Sequence, residues 1–198
     1  MTEKTVLITG ASRGIGAAAA REFAAAGYAV AVNYHRSESA ALALTEELTR
    51  AGHTAIAVQG DVSDPEQAAK VVDNVLEKFC QLDTLICNAG VDWVGLFGDM
   101  TSEQWRRVFA VNVDGMFYCI QRALPHMIRR KSGKIITVSS MWGVTGGSCE
   151  VAYSASKAAV IGLTRALAKE VGPSGITVNC VAPGVIDTEM NQNLGPQD

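Results

Sequence analysis

The chain has 198 residues, 48% of them hydrophobic, with a formal charge of -3 and a pI near 5.6. Such a length and apolar content fit one domain with a substantial core, and the mild acidity gives no attraction to nucleic acid or to an anionic membrane. No apolar run reaches membrane-spanning length and the start "MTEKTVLITG" lacks a signal-peptide layout, so a cytoplasmic location is expected.

In chain order, "TVLITG" is a short β-branched run ending at Gly10, followed by an alanine-rich helix predicted over about 15–26. Gly27 stops that helix and "YAVAVNY" makes a second strand. The alternation continues with a helix over 38–51, the strand "TAIAVQGD", a helix over 65–79 and the strand "DTLICNAG". A long helical region over 102–130 follows, then "GKIITVSS", a helix over 153–171 and "GITVNCVAPG". Six apolar strands separated by helices predict an α/β chain whose doubly wound parallel sheet is buried on both faces. Ligands of such sheets sit beyond the carboxyl ends of the strands, and the unusual polar clusters of this chain all lie just after a strand.

Several residues carry no chemistry on this reading. The basic run Arg129-Arg130-Lys131 closes a helical pattern and complements its dipole. Cys80, Cys87, Cys119, Cys149 and Cys180 are scattered without a Cys-x-x-Cys, as expected of reduced, mostly buried thiols. His35, His53 and His126 show no ligand spacing, so no metal site is expected.

The first strand runs into "TGASRGIG", where Gly10, Gly14 and Gly16 let the backbone turn tightly and approach a pyrophosphate at the start of a helix. A glycine turn can also be purely structural, but its place after the first strand favours a dinucleotide. The second strand ends in Asn33, His35 and Arg36, with no carboxylate to take an unphosphorylated ribose. Arg13 and Arg36 would welcome a 2′-phosphate, which favours NADP(H) over NAD(H) unless both are merely solvated. Farther on, Tyr153 and Lys157 stand four residues apart on one helix face. A solvated surface pair is the plain alternative to a catalytic one.

Taken together, "TGASRGIG", "NAG" at Asn88, Ala89 and Gly90, Asn112 in "VNVDG", Ser140, Tyr153-x-x-x-Lys157 and "PG" at Pro183 and Gly184 resemble the short-chain dehydrogenase/reductase family over essentially the whole chain. Within it the sequence is most similar to 3-oxoacyl-[acyl-carrier-protein] reductases. The stretch "SSMWGVTGGSCEVAYSASKAA" also resembles reductases of the 5-aminopentanone group on elongation factor P.

The resemblance implies a Rossmann-like domain over 1–198 and a catalytic set of Asn112, Ser140, Tyr153 and Lys157. Tyr153 would give the proton in ketone reduction, its pKa drawn down from the usual value by the Lys157 ammonium. Ser140, rather than the adjacent Ser139, would hold the carbonyl oxygen, and Asn112 would anchor a water in a proton relay. Cofactor contacts carry over to Gly10, Ser12, Arg13, Gly14, Ile15, Gly16, Asn33, Arg36, Asp61, Val62, Asn88, Ala89, Gly90, Tyr153, Lys157, Pro183, Gly184 and Thr188. Asp61 could instead simply cap a turn before Pro65. Trp93, Trp142, Cys149 and Glu150 are expected to border the substrate, and Glu150 either meets a substrate amine or serves the helix start.

The implied substrate is a 3-oxoacyl thioester, with the aminoketone on elongation factor P and small carbonyl compounds as alternatives. A homo-oligomer, dimer or tetramer, is expected from pairing of the long helices. A non-catalytic NADP(H)-sensing regulator would keep the glycine turn without needing the Ser-Tyr-Lys set. Family members continue past "PGVIDTEM", so the chain is expected to be incomplete, lacking the family's C-terminal strand and the loop over the substrate.

Overall fold

The computed structural model describes residues 3–189. Strands β1 (Lys4–Ile8), β2 (Tyr28–Tyr34), β3 (Ala55–Gln59), β4 (Thr84–Cys87), β5 (Gly133–Val138) and β6 (Ile176–Val181) alternate with helices. These are α1 (Gly14–Ala25), α2 (Glu38–Arg50), α3 (Pro65–Phe79), α4 (Ser102–Phe109), α5 (Gly115–Arg130), the single turn α6 (Trp142–Thr145) and α7 (Val151–Val171). Local chemistry sets the ends. Pro65 opens α3 where its missing N–H costs nothing, and Asp64 caps it by accepting from the Gln67 N–H at 2.8 Å. Lys131 closes α5 in the left-handed region, and the basic run is more than a solvated end, because Arg130 donates to Asp83 at 2.9 Å.

All pairings are parallel, in the order β3-β2-β1-β4-β5-β6. The order reverses between β1 and β4, where Ile8 is in register with Ile86, so the crevice for a ligand opens above those two strands. Alternation along β1 divides the core. Leu7 faces Val71, Val72, Met127 and Val160 of α3, α5 and α7, whereas Val6 and Ile8 face Ala20, Ala24 and Leu44 of α1 and α2. The alanines of α1 let that helix lie close on the sheet, carrying its first turn to the crevice.

Three expectations change. β1, β2 and β4 are buried, but the outer strands β3 and β6 are only partly covered, because each has a neighbour on one side among the described residues. The thiols are less uniformly buried than expected, with Cys87 and Cys119 inside, Cys149 and Cys180 half-buried and Cys80 exposed. The helical region over 102–130 is continuous but widens into one π-turn at Ala110–Asp114 between α4 and α5. Such a turn breaks the regular hydrogen-bond ladder, and this one contains Asn112.

Candidate active site

The glycine turn after β1 is a cradle that side chains would fill. Gly10 and Gly14 have φ of +60° and +54°, which L side chains rarely adopt. A Cβ on Gly10 would stand 2.8 Å from the Ala89 Cα, and one on Gly16 would stand 2.6 Å from Asn88 Nδ2 and 2.8 Å from the Gly10 oxygen. The turn is held from beneath. Asn88 Nδ2 donates to the Thr9 and Gly10 carbonyls at 2.9 and 3.0 Å, and Thr9 Oγ1 accepts from the N–H groups of Asn88 and Ala89, both at 3.0 Å. Arg13, at the start of α1, makes no side-chain cap, so the first-turn N–H groups face the crevice without an internal acceptor. Ser12 lies half-buried in this turn, with Arg13 and Ile15 exposed beside it. These features fit a pyrophosphate.

At the far end of the crevice, Arg36 is exposed just beyond β2. Asn33 is 2% exposed and all its polar atoms are used: Oδ1 accepts from the Gly10 N–H at 3.2 Å, and Nδ2 donates to the carbonyls of Val58 and Gly60. It therefore bears on a ligand through the turn it supports. Asp61 accepts from the Ser63 N–H and hydroxyl at 2.9 and 2.6 Å and pairs with His35 at 3.4 Å and Arg107 at 3.6 Å. Burial opposes its charge, yet the Ser63 bonds, with His35 and the Arg107 guanidinium alongside, hold the carboxyl below its ordinary range. Val62 is buried, and a Cβ on Gly115 would stand 2.9 Å from it. Arg107 was not legible as a site residue, since its link to Asp61 crosses from α4 to the end of β3.

The catalytic candidates converge where β4 and β5 end. Ser139 Oγ donates to the Lys157 carbonyl at 2.7 Å and so serves the helix, whereas Ser140 Oγ accepts from the Trp142 N–H at 3.2 Å and lies close enough to Tyr153 to draw its titration down. Lys157 is 3% exposed and its Nζ donates to the Val138 carbonyl at 2.8 Å. Burial pushes its pKa down to about 8, with Cys180 acting weakly the other way. Its Nζ lies 5.5 Å from the centre of the Tyr153 ring. The expected lowering of the phenol pKa does not follow. Tyr153 titrates above its ordinary value, because burial outweighs the opposing influence of Ser140, with Glu150 and Asp92 adding to the rise.

Asn112 is fully buried and acts as a clamp. Its Oδ1 accepts from the Val91 N–H at 2.8 Å, and Nδ2 donates to the Val91 carbonyl and to Ser156 Oγ, both at 2.9 Å. Ser156 in turn donates to the Tyr153 carbonyl at 2.7 Å. A Cβ on Gly90 would stand 3.3 Å from Lys157 Nζ and 3.4 Å from Asn112 Oδ1, so these two groups face one spot. Val91, Asp92 and Ser156 escaped the sequence reading, since a short serine in "YSASKAA" has no signal apart from its partners. Beyond β6, the Met141 N–H donates to the Pro183 carbonyl at 2.9 Å, the nearest atom to a Gly184 Cβ would be Met141 Sδ at 3.8 Å, and Thr188 comes within 3.4 Å of a Cβ built on Gly14. The loop thus crosses the mouth of the crevice from Ser140 to the glycine turn.

A buried lysine and a tyrosine beside a dinucleotide cradle on a doubly wound sheet define an oxidoreductase site. The chain belongs to the short-chain dehydrogenase family: a family model described as short chain dehydrogenase matches residues 4–198. It is 42% identical over 197 residues to a 3-oxoacyl-[acyl-carrier-protein] reductase of Synechocystis, covering 100% of this chain and 80% of the relative. Over 194 residues it is 42% identical to the 3-oxoacyl-[acyl-carrier-protein] reductase FabG of Staphylococcus aureus, covering 98% of this chain and 79% of the relative. A crystal structure of a dehydrogenase/reductase from Sinorhizobium meliloti superimposes with a TM-score of 0.93 at 38% identity, covering 100% of this chain and 78% of that one. The protein is therefore an enzyme that uses a nicotinamide cofactor. Among the described residues no helix is long and apolar enough to cross a membrane.

Proposed function

We propose that the protein reduces a 3-oxoacyl thioester, presented on a carrier protein, to the hydroxy product at the expense of NADPH. The observation that carries this reading is the convergence of Ser140, Tyr153 and Lys157 at the open end of β5, beside the glycine cradle. A reduced nicotinamide supplies the hydride that ketone reduction needs at carbon. Tyr153 gives its proton to the carbonyl oxygen, which Ser140 holds through its hydroxyl. Lys157, with a pKa near 8, carries a proton at neutral pH and reaches the nicotinamide ribose. Asn112 keeps the loop after β4 in place and orders the water that returns a proton to the lysine.

In the same reading Gly10, Ser12, Gly14, Ile15 and Gly16 receive the pyrophosphate, and Asn88, Ala89 and Gly90 line the middle of the cofactor. Asp61 and Val62 hold the adenine, while Pro183, Gly184 and Thr188 flank the nicotinamide. Arg13 and Arg36, exposed and outside every ion pair described above, take the 2′-phosphate, with Asn33 supporting them through the turn. The enzyme works as a single-domain cytoplasmic homo-oligomer, dimer or tetramer. The family relatives named for carrier-protein substrates and the exposed Phe117 on α5 support the substrate and the assembly respectively.

Replacing either Arg13 or Arg36 with Ala raises KM for NADPH by roughly tenfold to a hundredfold and leaves KM for NADH nearly unchanged, since each charge-assisted bond to a phosphate contributes about 1.5–3 kcal/mol in favourable cases. Equal changes for the two cofactors would remove the arginines from phosphate recognition. In Gly16→Ala the methyl group meets Asn88 and the turn backbone, and affinity for either cofactor falls about tenfold, read by fluorescence titration.

A second reading has a specific observation behind it. Asp92 and Glu150 place negative charge next to Tyr153, which suits a ketone bearing an ammonium group, such as the 5-aminopentanone modification of elongation factor P. Turnover with a short 3-oxoacyl thioester, compared with turnover of an aminoketone on elongation factor P, decides between the two substrates.

A further inference from the structure

We propose that Arg107 is a positioning residue for the adenine end of the cofactor site, reaching from α4 to hold the Asp61 carboxylate in the orientation that accepts from the exocyclic amino group of the base. The inference rests on Asp61 holding the adenine, as in the proposed function.

The turn after β3 is bonded largely to itself and to its neighbours in the chain. Asp61 Oδ1 accepts from the Ser63 N–H and hydroxyl at 2.9 and 2.6 Å, and the Asp61 N–H donates to Gln67 Oε1 at 3.1 Å. The Asp64 N–H closes the turn on the Asp61 carbonyl at 3.1 Å, and Asn33 Nδ2 reaches the Gly60 carbonyl at 3.1 Å. The other carboxylate oxygen is held differently. Among the described residues, Asp61 Oδ2 meets groups from distant elements, His35 Nδ1 from beyond β2 at 3.4 Å and Arg107 Nη1 from α4 at 3.6 Å.

Arg107 does more than balance a charge. The same Nη1 donates to Ser63 Oγ at 3.0 Å, and that hydroxyl in turn donates to Asp61 Oδ1. Arg107, Ser63 and Asp61 thus close a ring that meets both carboxylate oxygens, which fixes the plane of the carboxylate as well as attracting it. The Asp61 side chain is only 17% exposed, so its orientation is decided by these protein groups more than by water.

The same helical region bears on the turn at a second point. A Cβ on Gly115, at the start of α5, would stand 2.9 Å from Val62 Cγ2 and 3.0 Å from the Val62 carbonyl oxygen. Arg107 and Gly115 lie on either side of the π-turn, so the turn after β3 rests on the helix both before and after it. Arg106 provides the contrast. It is 76% exposed and pairs with Glu103 of its own helix at 3.9 Å. Both arginines lie in the last turn of α4, so a role limited to the helix dipole would fall on both alike.

The identity of the base reports how the carboxylate is held. Adenine presents an amino group that donates to a carboxylate oxygen, whereas hypoxanthine presents an oxygen at the same place, which a carboxylate repels. A general loosening of the protein affects both bases equally.

The test compares dissociation constants for NADPH and for its hypoxanthine analogue, each read by fluorescence titration of the reduced nicotinamide. The unmodified protein binds NADPH about tenfold more tightly than the analogue. Arg107→Met weakens NADPH by about threefold to fivefold and leaves the analogue unchanged, so the preference shrinks. Arg107→Lys, which keeps the charge, recovers most of it, and Arg106→Met changes neither constant. Arg107 is half-exposed, so its replacement leaves the core intact. Ser63→Ala, which removes the hydroxyl between Arg107 and Asp61, lowers the same preference and serves as a second variant. An unchanged preference in Arg107→Met, or equal weakening of both dinucleotides, overturns the inference. Asp61→Asn separates the two claims, because an amide serves either base and abolishes the preference. A preference that is absent at the outset, or that survives in Asp61→Asn, overturns the adenine assignment itself and the inference with it.

Discussion

Tyr153→Phe lowers ketone reduction by about 10³-fold and leaves NADPH affinity within about threefold, because it removes only the acidic hydroxyl that the transition state uses. The ring that packs in the first turn of α7 is retained, and the Asn112–Ser156 clamp reaches only the Tyr153 carbonyl, which the substitution does not alter. On the proposed reading cofactor binding draws on the glycine cradle and the basic end of the crevice, neither of which depends on the phenol. Single-turnover kinetics with parallel fluorescence titration reads both quantities. Lost affinity would show that Tyr153 mainly supports the cofactor, and a protein with tight binding but no activity even before substitution would fit a dinucleotide sensor.

Asn112→Ala destabilises the protein by about 3 kcal/mol and reduces turnover together with stability. Three hydrogen bonds, two to Val91 and one to Ser156, end on a side chain that is fully buried. Truncation strands the Val91 N–H and carbonyl without a replacement donor or acceptor, and it frees the loop that carries Gly90 against Lys157. Denaturant unfolding gives the first quantity. Unchanged stability with lost activity would assign Asn112 to the proton relay alone and contradict the clamp.

The framework was legible because each level of the sequence agrees with the others. Apolar runs such as "TVLI" stop at turn residues, and Asp64-Pro65 marks the start of α3 by both its cap and its missing donor. The glycine turn was legible for the same reason, its residues being demanded by local backbone conformation at Gly10 and Gly14. Adjacent residues leaving a strand point to opposite sides, and here Ser139 Oγ is spent on the Lys157 carbonyl while Ser140 lies on the side of Tyr153.

What stayed hidden depends on contacts between distant segments. The π-turn at Ala110–Asp114 has no breaker residue to announce it, and Asn112 looks like an ordinary helical asparagine until Val91 is placed beside it. Asn33 seemed free to meet a cofactor, yet β3 closes over it and consumes its amide. The phenol is pushed upward chiefly by burial, which the Tyr-x-x-x-Lys spacing does not contain. Likewise Lys157 spends a donor on the end of β5, a strand contributed from earlier in the chain.

The most direct measurement of the central claim follows the loss of reduced-nicotinamide absorbance with a short 3-oxoacyl thioester, first with NADPH and then with NADH. The account predicts turnover that prefers NADPH and disappears in Tyr153→Phe. Turnover that prefers NADH, or that survives in Tyr153→Phe, would contradict it.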